Sequence, residues 1–85
     1  MHPTDGIWRR WGAAVKQQRE DVADLTQRQL ANAIGVAIGT ISDIERGVAG
    51  GSDQTKWDIA RALGCEVADL FAYPSTKTVP AEAAS

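Results

Sequence analysis

The chain of 85 residues has one cysteine, one histidine and five aromatics, and no excess of positive charge. A lone Cys65 cannot close an internal disulfide, and it has no metal-ligand spacing with His2. No metal and no cofactor are expected. No apolar run reaches the ~18 residues a spanning helix needs. The first residues also lack the charged-then-apolar order of a signal peptide. The expectation is a soluble, cytoplasmic protein without a membrane partner. An enzyme is disfavoured, because His2 is terminal, Cys65 reads as a small core residue and the acids are dispersed, so no nucleophile, base and orienting group fall together.

The formal net charge of −2 counts against nucleic acid as a default partner. Distribution tells more than the sum. Of the nine cations, Arg9, Arg10, Lys16, Arg19, Arg28 and Arg46 lie in the first 46 residues, whereas Asp53, Asp58, Glu66 and Asp69 crowd the later helices. A basic face with an acidic back is compatible with that order.

What is present is one domain's worth of helical pattern, with a hydrophobic fraction of 44% to form a core. Residues 1–6 read as a loose lead, with Asp5 available as a helix cap. Ile7, Trp11, Ala14 and Val15 then recur at helical spacing opposite Arg9, Arg10, Lys16 and Gln17. Val22 to Leu25 make a short connection with two apolar anchors. Thr26 followed by Gln29 is a capping-box signature for a second helix from Gln27, and Gly35 supplies its left-handed stop. A third helix over 37–46 buries Ile41 and Ile44 and ends at Gly47. Ser52 or Asp53 caps a fourth, whose stripe is Ile59, Ala60 and Leu63 before Gly64. Val67, Leu70 and Phe71 form a short fifth. The domain is expected over 7–73, with a disordered tail over 74–85 where prolines and small residues leave nothing to bury.

The stretch TQRQLANAIGVAIGTISDIERG, Thr26 to Gly47, meets several constraints at once. Leu30, Ile34, Val36, Ile41 and Ile44 supply apolar contacts, Ala31 is small at the helix crossing, and Gly35 occupies the turn. An αα-hairpin in an ordinary bundle would need only the apolar spacing. With LTQRQLANAIGV, TISDIERG, IARALG and ADLF in order, residues 7–73 resemble the XRE family, the lambda-Cro and phage-repressor type of helix-turn-helix domain. The resemblance implies an all-α, five-helix domain whose third helix enters the major groove of double-stranded operator DNA. Such domains often bind as dimers, so a homodimer is an expectation.

Carried over by position, Gln27 matches a glutamine that bonds a phosphate and braces the recognition helix. Arg28, Thr40 and Arg46 match backbone- or base-facing positions. Glu45 matches a glutamate that pairs with an arginine of the first helix, and one inserted residue before Leu25 makes that partner Arg19. The reading face departs from the pattern. Ala37 replaces a capping Ser or Thr, and Ile38 and Gly39 stand where polar base-contacting residues are usual. Ser42 and Asp43 complete the exposed face. Ile38 could touch a thymine methyl and Asp43 accept from a cytosine amino group, without any side chain suited to bidentate readout. Lys56 replaces a usual apolar residue, and Trp57 beside it is expected to pack over the first helix. The functional expectation is a small sequence-specific regulator of the phage-repressor or Cro-like kind, without a separate sensor domain. The alternative is an antitoxin or other protein-interaction module with a partner such as a toxin.

Overall fold

In a computed structural model that describes residues 3–72, the chain forms five α-helices, with no strand among the described residues. His2 and the expected tail over 74–85 lie outside the described residues. Helix α1 spans Pro3–Gln17, so helical backbone begins four residues before the first apolar position of the stripe. Proline suits a first helical position, because its φ is preset and its missing N–H would be unpaired there anyway. Helical periodicity in a sequence reports contact with a core, and the residues before Ile7 offer no such signal.

At the C-terminal end of α1 the helix widens into a π-helical turn, Gln18–Val22. The Ala23 N–H donates to the Gln18 carbonyl at 2.9 Å, and the Leu25 N–H to the Arg19 carbonyl at the same distance. A π turn accommodates one extra residue without ending the helix. The chain then reverses through Asp24, whose φ of 56° is a conformation that Asp tolerates better than most side chains. Val22 is exposed, and the apolar anchors of this connection are Ala23 and Leu25, packed on the core.

Helix α2 spans Gln27–Ile34 and opens on a complete capping box: the Gln29 N–H donates to Thr26 Oγ1 at 3.0 Å, and the Thr26 N–H to Gln29 Oε1 at 2.8 Å. Gly35 closes it at φ 76°. Helix α3 spans Ile38–Arg46, one residue shorter than expected at its start, because Ala37 is the extended residue before it and has no side-chain oxygen to cap it. Helix α4, Asp53–Leu63, is capped by Ser52 Oγ, which accepts from the Thr55 N–H at 3.1 Å. Helix α5 is the short turn Val67–Leu70.

Val15 of α1, Leu30 of α2, Ile41 and Ile44 of α3 and Ile59 of α4 are fully buried together. Burial of such side chains stabilises by roughly 1.5–3 kcal/mol each. Helices α1 and α3 approach closely at Gly12, where an added Cβ would collide with the Ile44 and Glu45 carbonyl oxygens and lie 2.8 Å from the Glu45 carbonyl carbon. Trp11 closes the other side of the core. Its indole N–H donates to the Ala72 carbonyl at 2.8 Å, and its ring meets Phe71 edge-on at 5.7 Å between centroids.

The expected roles of Lys56 and Trp57 are exchanged. Lys56 Nζ lies 4.2 Å from the centre of the Trp11 ring, whereas Trp57 is 50% exposed beside the Arg61 guanidinium. A lysine can occupy an apolar position when its alkyl stem is buried and its ammonium rests on an aromatic face. One helical step separates the two residues, so turning Lys56 to the core turns Trp57 outward. Cys65 packs against the core edge, and burial pushes its thiol pKa up, helped by the negative charges of Asp69 and Glu66.

Candidate nucleic-acid interface

The outward face of α3 and the N-terminal turn of α2 form one continuous surface. Ile41 and Ile44 anchor the inner face of α3, so helical geometry directs the residues between them outward. Ile38 is 40% exposed and Gly39 is open, with nothing within 4 Å of an added Cβ; Thr40, Ser42 and Asp43 are half-buried and Arg46 is exposed. At the start of α2, Gln27 is half-buried and Arg28 exposed. A shallow groove joins the two helices, lined by Leu25, Thr26, Gln27, Arg28 and Ile38. A surface of this shape offers a protruding helix flanked by a helix N-terminus, which can present amides and cations to phosphate oxygens.

Behind this surface lies a buried polar network. Arg19 Nε donates to Glu45 Oε2 at 2.6 Å and Arg19 Nη2 to Glu45 Oε1 at 2.9 Å, a bidentate pair with side chains 7% and 3% exposed. Arg19 Nη1 also donates to the Leu25 carbonyl at 2.8 Å, and Gln27 Nε2 donates to Glu45 Oε1 at 3.0 Å. No buried side-chain N or O lacks a partner among the described residues. The network thus ties the π turn, the α1–α2 connection, the first residue of α2 and the body of α3 through Glu45. The hydrogen bonds to Glu45 hold the Arg19 pKa above its ordinary value. A raised pKa on a base stabilises the fold fully below its unfolded value and is lost only as pH rises past the folded one, so this contribution of Arg19 is fully present at neutral pH and is lost only in strong alkali.

Arg46 Nη2 donates to Asp43 Oδ1 at 2.6 Å on the exposed side of α3. The two outer charges of this helix therefore face each other, an arrangement that spacing alone did not indicate. Gly12 also escaped sequence reasoning, although a glycine inside a helical pattern costs about 1 kcal/mol relative to alanine and so invites a packing reason. Among the described residues, no group of three or more His, Cys, Asp or Glu side chains could hold a metal ion, and no helix is long and apolar enough to cross a membrane.

Gly39 provides a direct check on the surface. With open space at its Cβ, Gly39→Ala is expected to raise stability by about 0.5–1 kcal/mol, because alanine loses less backbone entropy in a helix. Thermal unfolding checks this, and a lower melting temperature would show that the methyl group meets something.

A family model described as Helix-turn-helix matches residues 15–70. Among solved structures, the clp gene regulator ClgR from Corynebacterium glutamicum is similar over 92% of this chain and 81% of that one, at 32% sequence identity and a TM-score of 0.72. No match was found among curated proteins.

Proposed function

Because this chain belongs to the helix-turn-helix family of DNA-binding transcription regulators, we propose that it acts as a sequence-specific, Cro- or phage-repressor-like regulator that inserts α3 into the major groove of an operator. The observation that carries this reading is the outward face of α3, held rigidly by the Arg19–Glu45–Gln27 network beside the N-terminus of α2. Arg28 and Arg46 contact phosphates, Gln27 spans from Glu45 to the backbone, and Ile38, Gly39, Thr40 and Ser42 face the base edges. An apolar Ile38 and a bare Gly39 give few hydrogen bonds to bases. Specificity then leans on DNA shape and on the spacing of half-sites in a homodimer. The similar ClgR protein is named for regulating clp genes, which supports transcription as the process without naming this chain's operator.

Salt titration of binding to a duplex selected from a random library tests the proposal. Each phosphate contact contributes about 0.9 to the slope of log K against log salt. Arg28→Ala and Arg46→Ala are each expected to lower the slope by about that much while leaving thermal stability nearly unchanged, because both side chains are exposed. Binding with no salt dependence would sink the assignment.

The half-exposed Trp57 favours a second reading, in which the fold serves as an antitoxin or other protein-interaction module with a partner such as a toxin. That partner would protect Trp57 and leave the Arg28 and Arg46 variants unaffected.

A further inference from the structure

We propose that Asp43 is a positioning residue: its carboxylate holds the Arg46 guanidinium in place for a DNA phosphate instead of reading a cytosine. This rests on the DNA-binding reading above. The 2.6 Å contact joins residues three apart on α3, so both side chains leave the same face of the helix. The side chains are 47% and 64% exposed, and exposed pairs of this kind contribute little to folding. The consequence of the pair therefore lies in what the surface does.

Three features direct that consequence toward phosphate. First, the Asp43 oxygen engages one N–H of the Arg46 fork, and no other hydrogen bond from the described residues occupies the fork, which leaves its remaining donors for a second acceptor. Second, the base of the side chain is rigid. Arg46 is the last residue of α3, and the following Gly47 turns at φ 79° against the backbone of Arg9, where an added Cβ would lie 2.8 Å from the Arg9 Cα. Only the flexible side chain then needs restraint, and the Asp43 contact supplies it before binding. Third, pairing offsets a negative charge that would otherwise repel the DNA backbone from the recognition helix.

Positioning and simple charge repulsion predict opposite signs. Removing a carboxylate from a DNA-facing surface should tighten binding if the charge only repels. Under the positioning role, Asp43→Ala weakens binding by about five- to tenfold, the scale of one charge-assisted hydrogen bond, and lowers the salt slope by about 0.9.

The experiment measures fluorescence anisotropy of the full chain with a library-selected duplex, for wild type, D43A, R46A and the double variant, with melting curves to confirm folding. The expected result is that D43A and R46A each weaken binding and that D43A causes no further weakening in the R46A background, where an Asp43 without its partner only repels the DNA. Asp43→Asn, which can still accept a hydrogen bond, falls between wild type and D43A. Unchanged or tighter binding by D43A overturns the positioning role alone, as does an undiminished D43A effect in the R46A background, which would restore direct contact with a base. A wild-type chain that shows no salt-dependent binding overturns the DNA-binding reading and this inference together.

Discussion

Glu45→Ala is expected to cost about 3–5 kcal/mol of folding stability, because removing one partner of a buried ion pair leaves the other charge without compensation. Arg19 would keep only the Leu25 carbonyl at 2.8 Å and the Glu20 carboxylate at 3.4 Å, and Glu20 is 48% exposed and too well solvated to substitute. A domain of this size has about 5–15 kcal/mol in total, so the variant should populate unfolded chain measurably at moderate temperature. Urea denaturation followed by circular dichroism reads the change directly. A double replacement, Arg19→Met with Glu45→Leu, is expected to recover most of it, because apolar side chains of similar volume carry no desolvation cost. A destabilisation below about 1 kcal/mol in Glu45→Ala would mean that water reaches the guanidinium and that the network does not brace α3.

The second large effect is expected at Gly12. Alanine normally stabilises a helix interior by about 1 kcal/mol relative to glycine, yet here the added methyl would meet the Ile44 and Glu45 carbonyl oxygens, which are backbone and cannot rotate aside. Overpacking of this kind costs about 1–3 kcal/mol, and α1 and α3 must separate to relieve it. Gly12→Ala is therefore expected to be net destabilising, with a melting temperature lower by several degrees. The displacement would also shift α3 relative to α2, so DNA affinity should fall even under conditions where the variant is folded. Gly39→Ala, on the open side of α3, is the matched control with the opposite sign. Equal melting temperatures for the two variants would show that the α1–α3 crossing is looser than its geometry indicates.

The family and the order of helices were legible because local rules agree with the tertiary arrangement. Thr26 with Gln29, Gly35, Gly47, Ser52 and Gly64 mark helix ends through backbone chemistry that acts over a few residues. Leu30, Ala31, Ile41, Ile44, Ile59 and Leu63 mark the buried stripes by spacing alone. Within the surface assigned to DNA, exposure of Ile38, Gly39 and Arg46 follows from that same spacing. Partnership does not: the Asp43–Arg46 contact depends on rotamers, which spacing leaves open.

By itself, then, the sequence determines five helices, the ends marked by caps and terminal glycines and most of the stripe that each helix buries, since capping and periodicity are local. Tertiary structure decided the rest. It placed Lys56 on the Trp11 ring and turned Trp57 outward, because core volume and the orientation of α4 select which of two adjacent residues points in. It also converted the extra residue before Leu25 into a π turn that keeps Arg19 on Glu45. That outcome rests on a backbone hydrogen-bond pattern and a long-range ion pair forming together, and neither is specified by the residues of the turn alone.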